Sequence, residues 1–150
     1  MKPEHSIDFQ IQMAWQSIRK LYNEVASGYG FSWAAGKVLL AIDVELGTAS
    51  TSLGPKMGVE STSLSRLLNK MEKHEYISRA SDPNDGRRVL VHLTEKGKVH
   101  REKAKAAVIQ LNERLEALLG QDEFRACLEA LVRIDSAIQA NELNADDLRD

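Results

Sequence analysis

The stretch that decides the fold is residues 61–94, STSLSRLLNKMEKHEYISRASDPNDGRRVLVHLT. Its first third repeats apolar residues at the spacing of an amphipathic helix, with Glu60 or Ser61 as the cap. The apolar positions of that helix are Leu64, Leu67, Leu68 and Met71. Two runs then alternate with the period of a strand, and the turn formers between them predict an exposed hairpin tip. The predicted strands are residues 76–79 and 88–93, and the predicted turn is residues 80–87.

A second short helix is predicted just before this stretch. Hydroxyl side chains at residues 50–52 supply caps, and Gly58 suits the left-handed conformation that ends a helix. Pro55 fits such a helix only in its first turn, where the missing N–H is not needed. Two short helices joined by a tight turn at Gly58 are typical of a helix-turn-helix.

Longer helices flank this lobe, which covers residues 32–94. Residues 5–28 predict the first helix, whose apolar residues recur every three or four positions until Gly28 ends it. Ser32 caps a further helix that carries apolar residues as far as Leu46 and closes at Gly47.

Residues 95–140 predict two more helices, which Gly120 separates and of which Thr94 caps the first. The expected fold of the single chain, residues 1–150, is mainly α (α+β). It is a winged helix-turn-helix with long N- and C-terminal dimerisation helices. The alternative for the long helices is that their apolar stripes pack on the core of their own chain.

Charge is distributed unevenly along a chain whose formal net charge is only −2. Residues 61–105 carry 11 Lys and Arg against 6 Asp and Glu, whereas residues 112–150 carry 4 against 10. This asymmetry favours a basic face for a polyanion, although a solvated charge pattern without a partner is the alternative. The single cysteine, Cys127, cannot form an internal disulfide, and no apolar run approaches the ~20 residues of a membrane span. We therefore expect a cytoplasmic protein that contacts no membrane.

The helix over residues 61–73 has the features of an element that enters the major groove of double-stranded DNA. Its first turns are small and polar, so its backbone can approach base edges closely. Arg66 suits guanine or a phosphate, and the lysines suit phosphates. The candidate contacts on this helix are Ser61, Thr62, Ser63, Ser65, Arg66, Asn69, Lys70 and Lys73. The alternative is a hydroxyl-rich surface helix that only caps itself.

The hairpin adds a second candidate contact to DNA. Arg87 and Arg88 lie on an exposed projection, where an arginine can enter a narrow minor groove. Asp85 is placed to accept a hydrogen bond from Arg87 and to hold it extended. The alternative is a surface ion pair worth under ~1 kcal/mol. Two such lobes in a homodimer would reach successive major grooves of a pseudo-palindromic operator.

Residues 85–97, DGRRVLVHLTEKG, resemble the wing signature of the MarR family of transcriptional regulators. The resemblance extends over most of the chain, and it implies Arg87 as the minor-groove arginine with Asp85 as its orienting partner. It also implies repression that a small aromatic or anionic effector relieves. Two residues depart from the family pattern: Pro55 falls inside the supporting helix, and Glu75 replaces a glycine before the second strand.

An effector pocket between the long helices and the winged lobe is implied by the resemblance. Its candidate lining residues are Trp15, Arg19, Tyr22, Trp33 and His100. Aromatic residues at helical spacing are more often core, which is the alternative. Cys127 lies beside Leu128 and Leu131 and is expected to be a buried, inert thiol.

No catalytic motif, cofactor-binding loop or metal-ligand spacing stands out in the sequence, so we expect no enzyme, no cofactor and no metal site. The competing hypothesis is a dimeric winged-helix module that docks protein and binds no specific DNA. The basic hairpin and the polar helix face favour DNA.

Overall fold

A computed structural model describes residues 2–57 and 60–149 of the chain. The elements, in chain order, are a short 3-10 helix (Pro3–His5), α1 (Ile7–Gly28), α2 (Trp33–Ala41), β1 (Thr48–Ala49), α3 (Ser50–Met57), α4 (Ser61–Lys73), β2 (Ile77–Asp82), β3 (Asp85–Leu93), α5 (Glu95–Leu119) and α6 (Gln121–Gln139). The expected fold, helices around a small antiparallel sheet, is confirmed. The predicted turn at Gly58 lies outside the described residues.

The chain divides into two compact units, one that ends at Val108 and one that begins at Ile109. The centre of the core of the first unit is aliphatic and comes mainly from α2, α3, α4 and the sheet, and buried aromatic side chains add to it. Its most deeply buried side chains are Leu39, Ile42, Leu53, Met71, Ile77, Val38 and Val91. At about 25 cal/mol per Å² of apolar surface, burial of such side chains stabilises the lobe by roughly 1.5–3 kcal/mol each.

The predicted caps at Ser32 and Thr94 are confirmed, whereas Glu60 lies at the N-cap of α4 without a side-chain cap bond. Ser6 caps α1, which the sequence did not predict. The Ser6 and Ser32 side chains accept from backbone N–H groups in the first turns of α1 and α2. The Thr94 hydroxyl oxygen accepts from the Gly97 N–H at 3.0 Å at the start of α5. Each of these bonds satisfies one amide that a helix start leaves without a partner.

Helix α2 ends earlier than predicted, at Ala41 rather than at Gly47. The Asp43 carboxylate accepts from the amides of Leu46 and Glu45, at 2.8 and 2.9 Å, and so folds residues 43–46 into a turn. Leu46 is therefore 77% exposed and does not continue the apolar face of the helix. Gly47 has φ +71 and leads into β1, a two-residue strand that the sequence did not predict.

The sheet has the order β1-β3-β2, with both pairs antiparallel. The hairpin is longer than predicted, because β2 reaches Asp82 and β3 begins at Asp85, which leaves Pro83 and Asn84 at the tip. The Asp82 carboxylate accepts from the Asn84 N–H at 2.8 Å, and this bond closes the turn. The assignment of all of residues 80–87 to a loop was therefore wrong.

The two residues that depart from the family pattern, Pro55 and Glu75, both affect the backbone where they lie. Pro55 lies inside α3, past its first turn, where it removes one helical hydrogen bond. Glu75 has φ +61, the left-handed region that glycine adopts at lower cost.

The second unit contains the end of α5 and all of α6. None of its described side chains is fully buried in the single chain. Its exposed large apolar residues on α5 and α6 are Ile109, Leu118, Leu119, Leu128, Leu131, Val132 and Ile138. Within the first unit, α1 likewise buries only Tyr22 and Ala26 and exposes much of its apolar stripe.

Candidate nucleic-acid interface

Helix α4 has one buried face and one exposed face. Leu64, Leu68 and Met71 are at most 5% exposed and fix the helix against the core. All eight candidate DNA contacts of this helix are exposed: Ser61, Thr62, Ser63, Ser65, Arg66, Asn69, Lys70 and Lys73. The positive end of the helix dipole adds to the hydroxyl groups of its first turn, which suits an anionic or electronegative partner.

The hydroxyl of Ser65 is partly committed within the helix. It donates to the Ser61 carbonyl oxygen at 2.9 Å, one turn earlier. While that bond lasts, Ser65 can only accept a hydrogen bond from a base. Ser61, Thr62 and Ser63 have no such bond to a neighbouring carbonyl among the hydrogen bonds of the described residues.

The hairpin of β2 and β3, which forms the wing, exposes Arg87 to solvent, with 94% of its side chain accessible. Asp85 accepts hydrogen bonds from the backbone N–H of Arg87 at 3.1 Å and from its Nε at 3.3 Å. The predicted Asp85–Arg87 hydrogen bond is therefore present. A Cβ placed on Gly86 would meet no atom within 4 Å, so nothing in the described residues crowds this part of the wing.

Arg88 is directed differently from Arg87. Its guanidinium lies 3.7 Å from the buried Asp82 carboxylate, and its side chain is 54% exposed. Asp82 thus holds both the tip of the hairpin and Arg88. Sequence reasoning missed Asp82, although an Asp before Pro-Asn is a signal for a side-chain-closed turn.

A second residue that the sequence did not single out joins the hairpin to α4. Arg79 of β2 donates from Nη2 to Asn69 Oδ1 at 2.7 Å, and its Nε lies 3.7 Å from Glu72 Oε2. The available signal was its register: Arg79 shares a strand face with the buried Ile77, and a charged residue on an inward face needs a partner.

The five candidate effector residues do not share one cavity. Tyr22 and Trp33 are buried and stack with ring centroids 4.0 Å apart, and burial raises the pKa of the Tyr22 hydroxyl. Trp15 is 43% exposed. These contacts match the alternative that the Tyr22–Trp33 pair is core.

The remaining two candidates lie apart from that stack. His100 packs between Phe31 and Tyr76, at centroid distances of 5.3 and 4.8 Å. Arg19 lies on an open groove along the outer side of α1. His100 thus lies in an aromatic cluster, whereas Arg19 lies at an exposed position.

A cavity of about 570 Å³ lies between the end of α1, α2 and α4 in the first unit. None of the five predicted effector residues lines it. Its polar and aromatic lining residues are Asn23, Ser27, Phe31, Ser32, Lys70, His74 and Tyr76. This size and mixed lining suit a small organic molecule.

Two further expectations concern reactive and metal-binding side chains. Cys127 is exposed in the single chain, so its predicted burial was wrong; it lies on α6, of which no described residue is fully buried. No group of three or more His, Cys, Asp or Glu within residues 2–57 and 60–149 is arranged to hold a metal ion. No helix in the same part of the chain has the length and apolar character to span a membrane.

Comparison with known proteins places this geometry in a family. The MarR family model matches residues 31–89. The HTH-type transcriptional regulator SarZ of Staphylococcus epidermidis is 31% identical over 90 residues, which cover 60% of this chain and 61% of SarZ. The chain thus spans about three fifths of the length of that curated relative.

Solved structures extend the likeness over most of the chain. Apo wild-type MarR from E. coli is 31% identical, with a TM-score of 0.69 and coverage of 85% of this chain and 94% of MarR. The transcriptional repressor CouR, bound to a 23-mer DNA duplex, shares the fold at 24% identity, with a TM-score of 0.78 and coverage of 90% and 98%. By its match to MarR over most of this chain and nearly all of MarR, this chain belongs to the MarR family.

Proposed function

We propose that this protein is a sequence-specific, double-stranded-DNA-binding transcriptional regulator. The observation that carries the proposal is one unit that combines an exposed polar helix face with an exposed arginine on an adjoining hairpin. The core face of α4 and the Arg79–Asn69 bond give these two parts a defined spacing. The relative SarZ, which is named as an HTH-type transcriptional regulator, supports the same conclusion.

The proposed contacts divide between the two grooves of DNA. Ser61, Thr62, Ser63 and Ser65 approach base edges in the major groove, about 12 Å wide, with Arg66 on guanine or a phosphate. Lys70 and Lys73 hold phosphates. Arg87, kept extended by Asp85, enters the minor groove, where the cost of Arg87 desolvation is offset by the negative potential. Arg88 contributes charge while it stays paired to Asp82.

The proposed regulator acts as a homodimer. The apolar side chains left exposed on α1 and α6, including Ile7 at 66% and Val132 at 64%, support a second copy as their cover. A two-fold dimer would present two lobes to half-sites about 34–36 Å apart, so its operator would be pseudo-palindromic. In this proposal the protein works in the cytoplasm, where the DNA is accessible, and it catalyses no reaction.

The test of DNA recognition is selection of binding sequences from a random duplex library by the purified full chain. The proposal expects an enriched, two-fold symmetric motif that fluorescence anisotropy then separates from a shuffled duplex by at least about a hundredfold. Enrichment of no motif, with equal weak binding to both duplexes, would favour the protein-docking module instead.

We further propose that the protein is a repressor and that a small aromatic anion releases it by binding in the 570 Å³ cavity. Lys70 supports this because it lines the cavity and belongs to α4, so its ammonium group serves either the ligand carboxylate or the DNA. A panel of aromatic carboxylates should weaken binding to the selected duplex, and His74→Ala should reduce that response. DNA affinity that is unchanged by every compound would argue against effector release.

A further inference from the structure

The Arg79 side chain joins the hairpin to helix α4. It starts on β2 and reaches α4, where its guanidinium bonds Asn69 Oδ1 at 2.7 Å and lies 3.7 Å from the Glu72 carboxylate. Its side chain is only 27% exposed, so the guanidinium is held in place rather than mobile in solvent. A planar guanidinium can donate to an amide from one nitrogen while it pairs electrostatically with a carboxylate, which an ammonium group does less well; Nε itself has no hydrogen-bond partner among the described residues.

This bond changes what Asn69 can offer to DNA. An asparagine reads adenine with both ends of its amide, because N6 donates to the side-chain oxygen and N7 accepts from the side-chain nitrogen. In this structure the oxygen already accepts from Arg79. The bond occupies one of the two lone pairs of Oδ1 and fixes the orientation of the amide, and the neighbouring positive charge polarises the two N–H donors of Nδ2 toward an acceptor.

We propose that Arg79 is a positioning residue that orients Asn69 so that its amide nitrogen donates to a DNA phosphate. The inference rests on the proposed function and assigns Asn69 a role in affinity rather than in base reading. Arg66 and Lys73 lie three residues before and four after Asn69, so the three form one stripe along α4. An amide donor with one cation on each side, here Arg66 and Lys73, suits a phosphate better than a base edge.

The proposal also means that Arg79 on the hairpin and Asn69 on α4 contribute to the same contact with DNA. If Arg79 orients Asn69, removal of either side chain loses the same phosphate contact. The two losses should therefore overlap in a double-mutant cycle instead of multiplying. A charge-assisted hydrogen bond of this kind corresponds to roughly a tenfold change in affinity.

The experiment measures affinity for the selected duplex with wild type, Asn69→Ala, Arg79→Ala and the double variant. Each single variant should bind about three- to tenfold more weakly, and the double variant should bind no more weakly than the weaker single variant. Arg79→Lys is the matched control for charge: it keeps the cation, and the proposal expects it to lose affinity nearly as Arg79→Ala does. Losses that multiply in the double variant would overturn the proposal.

Asn69→Asp keeps the test valid even if the Arg79 variants fold poorly. An aspartate retains the oxygen that Arg79 binds but removes both donors and adds a negative charge. Its urea midpoint should stay at or above that of wild type, while its affinity should fall at least tenfold. The fall should be uniform over duplexes that carry single base-pair changes; a loss confined to one base pair would show that Asn69 reads a base. If wild type selects no sequence at all, the proposed function itself fails. If wild type selects a motif but the losses in the double variant multiply, only the role of Arg79 fails, so the two failures are distinguishable.

Discussion

Replacement of Gly97 by alanine should destabilise the winged lobe, although alanine is the better helix former. A Cβ at this position would overlap the backbone carbonyl oxygen of Tyr76 and approach its carbonyl carbon to 3.0 Å. The obstacle is backbone rather than a flexible side chain, so the first turn of α5 must move away from the start of β2. The same carbonyl accepts from the Thr94 N–H at 3.2 Å, and the Thr94 hydroxyl caps Gly97. The movement therefore strains the cap as well.

The magnitude follows from these contributions. Overpacking costs about 1–3 kcal/mol, and loss of the cap with its backbone bond adds roughly 2 kcal/mol. The helix propensity of alanine returns about 1 kcal/mol. We expect a net loss of about 2–4 kcal/mol in the free energy of unfolding, read from urea titration by circular dichroism at one fixed protein concentration. Gly28→Ala is the control, because a Cβ there meets nothing within 4 Å. A Gly97→Ala variant as stable as Gly28→Ala would refute the packing argument.

Other positions give equally direct expectations. Asp82→Ala should cost about 1–2 kcal/mol at the hairpin and should speed exchange of the Asn84 amide, whose acceptor it removes; an unchanged exchange rate would contradict this. Leu53→Ala should cost about 2–5 kcal/mol in urea titration, because Leu53 is fully buried, whereas Leu46→Ala should stay within about 0.5 kcal/mol. Backbone hydrogen bonds, that of Leu46 foremost, hold the pKa of Asp43 below its usual range. Its contribution is thus present above about pH 4 and declines as the pH falls through the lowered pKa, so the stability difference from Asp43→Ala should shrink in acid.

Local signals in the sequence were enough for the ends of most helices. The Thr94 cap follows from residue type and spacing alone, as does the end of α1 at Gly28. Strand β1 was missed because its two residues pair with β3, Thr48 with Val91, and no local pattern encodes a partner some forty positions away. Turn-forming residues marked the hairpin tip but not its length, which the Asp82 side chain sets.

The exposed surface was easier to predict than the contacts beneath it. The polar face of α4 and the Asp85–Arg87 bond both follow from periodicity and from neighbours in sequence. The Arg79–Asn69 bond joins two elements, so it depends on how the hairpin packs against the helix. Effector residues were the least predictable, since an aromatic such as Trp33 has the same helical spacing whether it is core or ligand contact.

The most direct test of the central claim is the salt dependence of binding to the selected duplex, for wild type and for Arg87→Ala. Each phosphate charge that a cation neutralises, whether the cation binds the phosphate or lies between phosphates in the minor groove, contributes about 0.9 to the slope of log affinity against log salt concentration. The account predicts a steep slope for wild type and, for a dimer with two Arg87 side chains, a slope shallower by about 2 in the variant, with unchanged folding. A slope and affinity that are identical in the two proteins would contradict the assignment of the wing to DNA.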